Sequence, residues 1–288
     1  MKHIIKLTLI VLAVVFTGNL AYAGLPLNNL EGVGGVAFNP LAYPAEGDPL
    51  YSIGDTEVVS KPRFGTWYTN LGQPKIDWGS IGAATTFFKR LEVSEGYQYI
   101  SWARVAGADF HKNNIGAKLV LLPENSFDTK FLPEISVGTI YKTTSDKVIH
   151  DIGLTSNRGS GEDWYAVATK TITQLPLPVV LSAGVLSSEE VATGVLGFTN
   201  ERRETAFGNV DVVLPHNFAV GYEFKQGEEY NNTTPIHGNA NYWDVHVAWL
   251  ANKNLTLVLA YTDTGRYASG NSKIGLGSGP VLSAQYAF

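Results

Sequence analysis

From residue 61 to the last residue the chain repeats one pattern, an apolar side chain at every second position with small, polar or charged residues between. Successive side chains of a strand point to opposite faces, so a period of two marks strands with one greasy face; the helical period is nowhere sustained. The clearest stretch places Trp243, Val245, Val247 and Trp249 on one face and Asp244, His246 and Ala248 on the other. After Ala251-Asn252-Lys253-Asn254, a turn of hairpin chemistry, Leu255, Leu257, Leu259 and Tyr261 oppose Thr256, Ala260 and Thr262. The same division separates Phe218, Val220, Tyr222 and Phe224 from Ala219, Gly221, Glu223 and Lys225. Twelve strands are predicted, over 61–71, 77–89, 91–102, 113–123, 132–144, 162–173, 177–187, 204–215, 217–228, 241–251, 254–264 and 279–288.

A soluble sandwich shows the same alternation, with its apolar face turned to a shared core. The connections separate the two cases. Those at 89–90, 174–176, 216 and 252–253 are tight and 123–131 is moderate, whereas 103–112, 145–161, 188–203, 227–240 and 265–279 are long and mostly polar; 72–76 is short. Transmembrane barrels alternate short periplasmic turns with longer external loops in this way. The expected fold is all-β: a transmembrane antiparallel up-and-down β-barrel of about twelve strands over 61–288. Closure of the sheet is what gives every backbone donor and acceptor a partner in hydrocarbon.

Lys2, His3 and Lys6, the apolar run from Leu7 to Phe16, and Ala21-Tyr22-Ala23 have the layout of a signal peptide over 1–23. At the other end, Phe288, Tyr286, Ala284 and Leu282 share one face of the final strand. This resembles the terminal strand of bacterial outer-membrane barrels, in which a last aromatic residue preceded at period two by apolar residues is read by the assembly machinery. The resemblance implies the outer membrane of a Gram-negative-type bacterium, Phe288 and Tyr286 as assembly signal, and outer-membrane lipid and the barrel assembly machinery as partners. Leu132-Pro133-Glu134-Ile135-Ser136-Val137-Gly138 and Asn217-Phe218-Ala219-Val220-Gly221-Tyr222-Glu223 also resemble an uncharacterised proteobacterial family of predicted barrel proteins, a likeness that implies no activity.

With the apolar parity toward lipid, a basic residue at the midplane of that face costs roughly 2–4 kcal/mol. Lys118, Lys142, Lys170, Glu223, Lys225, Asp244 and His246 are accordingly assigned to the lumen wall. Glu95 breaks the rule by sharing parity with Leu91, Val93, Tyr97 and Tyr99, so a bulge or a stretch above the membrane is expected there. About twelve strands enclose more than a filled eight-stranded interior and less than a sixteen-stranded channel, which makes a passive channel for small solutes the expected function. Four lysines against two acids in that set hint at mild anion preference. The alternative is that these charges pair with one another or with residues 24–60 and close the lumen, leaving a structural or binding barrel that recognises through its external loops.

Residues 24–60 are rich in turn formers, as in Gly32-Val33-Gly34-Gly35-Val36 and Asn39-Pro40. Three placements are open: inside the lumen, as a periplasmic lead-in, or as further strands at 34–38 and 57–60 that raise the count toward fourteen.

Composition adds exclusions. The sequence has no cysteine, so no disulfide staples it. A net charge of −5 without a basic stripe argues against a nucleic-acid partner. Asp244 and His246 alone are too few for a metal site, and Gly275-x-Gly277-x-Gly279 lacks a strand-to-helix context for phosphate. His216 falls in a turn, His111, His150 and His237 fall in loops, and no Ser–His pair can be assembled, which leaves an outer-membrane lipid-modifying enzyme as the least supported reading. No catalytic residue, metal or cofactor is expected, and no feature fixes an oligomeric state.

Overall fold

A computed structural model describes residues 27–72, 74–103, 108–145, 158–230, 238–266 and 273–288. The expected signal peptide, His150 and His237 lie outside the described residues. Four short strands come first: β1 (Leu27–Asn28), β2 (Gly34–Gly35), β3 (Pro49–Ile53) and β4 (Thr56–Ser60). The barrel follows as β5 (Arg63–Leu71), β6 (Ile76–Phe87), β7 (Leu91–Trp102), β8 (Ala108–Leu122), β9 (Glu134–Thr144), β10 (Ser160–Ile172), β11 (Val179–Glu190), β12 (Phe198–Leu214), β13 (Phe218–Lys225), β14 (Tyr242–Leu250), β15 (Leu255–Asp263) and β16 (Ser278–Ala287). Each of these twelve pairs antiparallel with its neighbours in the chain, and β16 returns to β5 with Val281 opposite Thr69 and Ala287 opposite Arg63. The result is a closed twelve-stranded up-and-down barrel with two additional strands in a hairpin, β3 and β4.

The alternation is the reason this sheet closes. Outward positions such as Leu119, Val185, Leu259 and Leu282 are exposed, whereas their neighbours Lys118, Gly184, Val258 and Val281 face in. An apolar outer face and a polar inner one suit a sheet with lipid outside. β7 corrects the expectation for Glu95: its pairing runs unbroken from Leu91 to Trp102 on both sides, so there is no bulge. Glu95 stands on the outer face opposite Ala83 and Ile115. β8 begins five residues before its predicted start, at Ala108, which removes His111 from a loop. His111 lies on the outer face and meets the Tyr97 hydroxyl through Nδ1 at 2.5 Å.

Residues 27–45 lie inside the barrel. β1 and β2 pair only with each other, Leu27 opposite Gly35. Leu27, Leu30 and Ala37 pack on Trp67, Ala219, Ala248, Val258, Ala260 and Val281, while Val33 and Ala42 pack on Ile140, Tyr165, Val167, Leu186 and Phe207. The chain leaves at the end of the short turns, where the Asp48 N–H donates to the Phe288 carbonyl at 2.7 Å. Beyond it the β3–β4 hairpin is attached to the barrel through Val59 opposite Phe87, with Leu50, Tyr51 and Ile53 exposed. Of the three placements, the lumen holds for 27–45, whereas residues 49–60 form strands that stay outside the closed ring.

The opposite end is also filled. Residues 191–197, taken in the sequence as part of a polar external loop, turn inward. Val191, Ala192, Val195 and Leu196 join Leu71, Ile76, Trp78, Ile100, Trp102, Phe110, Tyr230, Ile274 and Leu276 in one buried apolar cluster. Four apolar side chains in seven residues explain the turn inward, since burial stabilises each by about 1.5–3 kcal/mol, with Ala contributing less.

Candidate functional site: the lumen wall and its occupant

The wall residues near the long-loop end converge on one ammonium. Lys142 of β9 places Nζ 2.5 Å from Glu31, 2.5 Å from Asp163 of β10 and 2.7 Å from Glu190 of β11. Three carboxylates thus lie at ion-pair distance from one ammonium, and Glu190 accepts its hydrogen bond. Glu190 also takes the Lys225 ammonium, Lys112 lies 3.7 Å from Glu31, and the Lys112 ammonium donates to the Thr193 carbonyl. Wall, inner segment and inward loop therefore meet in a single network. Just past β13, Glu228 is pushed up to about 7 by burial first and by the Glu190 carboxylate second.

Nearer the turn end the wall binds the inner segment through its backbone. Lys118 pairs with Glu92 at 2.9 Å and donates to the carbonyls of Gly34 and Tyr43 at 2.9 and 2.8 Å. Glu92 accepts the N–H groups of Gly34 and Ala45 at 2.8 and 2.6 Å. Across the lumen, Glu223 accepts three consecutive N–H groups, from Ala37, Phe38 and Asn39, at 3.1, 2.9 and 2.6 Å. Opposite Glu223 in register stands Asp244, whose Oδ1 lies 2.7 Å from Nδ1 of His246; Nε2 of the same ring lies 2.8 Å from Asp211. A neutral imidazole can donate only one of those bonds, so a second proton is carried either by the ring or by one of the two carboxyls. Among the described residues no group of three or more His, Asp or Glu has the arrangement of a metal site.

Of the seven residues assigned to the wall from sequence, Lys118, Lys142, Glu223, Lys225, Asp244 and His246 are buried in the interior. Lys170 departs from the expectation. It lies opposite the outward Leu181 in register, one position from the inward Thr169, and its ammonium reaches Glu124 at 2.9 Å and Asn125 at 2.5 Å on the turn-end rim. Its own parity, shared with Trp164, Ala166 and Ala168, already pointed outward. Six charged wall residues were missed. Arg63, Glu92, Asp163 and Asp211 lie on the inward parity inside predicted strands and could have been found by the same rule, but Lys112 and Glu190 fell just beyond the predicted strand ends. With Glu92, Asp163, Glu190 and Asp211 added, the acids balance Arg63, Lys112, Lys118, Lys142, Lys225 and His246. The excess of lysine that suggested anion preference is gone.

A vestibule of about 1100 Å³ opens at the turn end, lined among others by Tyr43, Pro44, Glu46, Arg63, Lys170 and Phe288. Inside it the Tyr43 hydroxyl bonds Glu124 at 3.0 Å and Thr171 at 2.8 Å. Burial pushes the Glu46 carboxyl up, Glu57 adds to the shift and Lys89 opposes it. Phe288 lies beside Phe64 and Tyr286 on the outer rim, ring centroids 5.6 and 4.8 Å away.

A family model described as "Protein of unknown function (DUF3034)" matches residues 26–277. No curated protein matches the chain. Among solved structures, the NanC porin is 7% identical over 78% of this chain and 98% of its own, with a TM-score of 0.53. The KdgM porin is 13% identical over 78% and 99%, TM-score 0.49, and outer membrane protein Omp33 of Acinetobacter baumannii is 10% identical over 80% and 99%, TM-score 0.46. At such identity the likeness to NanC is one of fold.

Proposed function

The chain belongs to the DUF3034 family, and we propose that it is an outer-membrane channel for small solutes held shut by its own residues 27–45 and 191–197. The observation that carries this reading is the way the wall is satisfied. Its charged groups are bonded to an irregular segment that enters from the turn end, contributes no strand to the closed ring and continues into an exposed hairpin. A barrel meant to stay dry gains little from such an interior, because buried ion pairs are commonly matched or bettered by apolar side chains of similar volume. A wall that is hydrated in one state and bonded to an occupant in another needs those charges. In this arrangement the short turns, the hairpin and the vestibule face the periplasm, and the long loops face outward.

Planar-bilayer recording tests the proposal. The intact protein is expected to be closed for most of the record. A barrel lacking residues 27–45 and carrying a Gly-Ser turn in place of 191–197 is expected to conduct continuously. A folded double variant without conductance would overturn the channel and leave a structural barrel. The proposed assembly role of Phe288 has its own test: Phe288→Ser should leave export unchanged and lower the yield of folded, heat-modifiable protein in the outer membrane. An unchanged folded yield would remove Phe288 from that role.

A further inference from the structure

We propose that the lumen wall is a binding site for a peptide backbone, occupied here by residues 27–45, and that the cargo of the open barrel is a short peptide with small side chains and an acidic residue. The inference rests on the displacement of that segment argued above. It comes from what the wall recognises. Gln285 accepts the Asn28 N–H at 2.9 Å and donates to its carbonyl at 3.1 Å, and Gln98 donates to the Leu30 carbonyl at 2.7 Å. Thr169 accepts the Ala42 N–H at 2.8 Å while Ser136 donates to the Ala42 carbonyl at 2.6 Å. Together with Glu92, Lys118 and Glu223, these side chains meet donors and acceptors that every non-proline residue carries.

Shape points the same way. Gly65, Gly82 and Gly96 lie side by side in register on the inner face of β5, β6 and β7. A Cβ at Gly82 would lie 2.7 Å from the Gly32 Cα, and one at Gly96 would overlap the Glu31 carbonyl, so the row admits backbone directly against the wall. Six of the nineteen residues of the occupant are Gly or Ala, Gly34, Gly35, Ala37, Ala42 and Ala45 among them. Its one acidic side chain, Glu31, is held by Lys142 and Lys112. An oligosaccharide offers hydroxyls and no run of three N–H donors for Glu223.

The test separates the occupant from the barrel after folding. A protease site placed at the exposed Gly54–Asp55 turn is cut in the folded protein, and a fluorescent peptide is titrated in; a barrel lacking residues 27–45 is assayed in parallel, so that a cut segment that stays seated does not hide the site. Two peptides of equal length are compared, one with the sequence of residues 27–45 and one an unrelated Gly-Ala-Val sequence with a single Glu. Both are expected to bind within about tenfold of each other, and Glu223→Gln is expected to weaken both by roughly tenfold or more, since the amide replaces one of the two accepting oxygens with a donor. Binding of the native sequence alone, or of neither peptide, overturns the inference. Conductance of the double variant scores the channel independently, so a conducting barrel that binds no peptide leaves the channel standing and removes its peptide cargo.

Discussion

Replacing Lys142 with Met is expected to lower the stability of the folded barrel by about 3–5 kcal/mol, whereas replacing Lys170 with Met should cost about 1 kcal/mol or less. The sequence reading assigned both lysines to the same wall, yet their surroundings differ. Lys142 is fully buried, with carboxylates from Glu31, Asp163 and Glu190 around one ammonium. Removing it leaves Asp163 without a cation and Glu31 and Glu190 with only Lys112 and Lys225 respectively, in a space that water does not reach. Lys170 bonds Glu124 on the rim beside the vestibule, where water replaces the lost contact. Thermal loss of the heat-modifiable form, measured in detergent for both variants, decides the matter. Asp163→Asn in the Lys142→Met background should recover part of the loss by removing one stranded charge. Small and equal losses for both lysines would mean that the interior is hydrated and the barrel open.

The contrast between these lysines marks how far the sequence reaches. Period two alone located all twelve barrel strands, because a lipid-facing surface demands an apolar side chain at each outward position, and Leu255, Leu257, Leu259 and Tyr261 obey it visibly. The rule weakens where a strand leaves that surface. Polar Thr199–Arg203 hid the first turns of β12, and the predicted ends of β8 and β11 stopped short of Lys112 and Glu190. Lys170 was read against the parity of its own strand. The Glu95 anomaly was visible, but a bulge was the wrong remedy: the strand is regular and an outward acid is carried on it. Partners were the least legible. Nothing along the chain joins Glu223 to the backbone of 37–39, a contact made inside the lumen, or Asp211 to His246, which meet over Gly221 of the intervening β13 once the strands pair. The inner segment itself was recognisable only as turn-rich, because an irregular chain that is bonded through its backbone leaves no periodic trace.

Gly82→Val should unseat the inner segment without unfolding the barrel. The wall meets that segment most closely along Gly65, Gly82 and Gly96, and the space at Gly82 is already taken by the Gly32 Cα, a backbone atom that no rotamer change can move. Gly32 holds a φ of +87°, so the tight turn beside the wall has little freedom to adjust. Overpacking of this kind costs about 1–3 kcal/mol, and the cost falls on seating of the segment, since Val itself suits a strand and would project into water once the segment leaves. At about 1.4 kcal/mol per factor of ten, exposure of the segment should rise roughly fivefold to a hundredfold. The readout is a cysteine at Val33, which is buried against the wall. In an otherwise native chain Val33→Cys should react slowly with a bulky water-soluble maleimide; combined with Gly82→Val it should react faster by that factor, with the folded form intact. Gly79→Val is the control, because a Cβ there points outward and comes no closer than 4.0 Å to its neighbours. Labelling that Gly82→Val does not accelerate would mean that the segment is not seated on the glycine row. Acceleration by Gly79→Val as well would trace the effect to a loosened sheet and not to the occupied lumen.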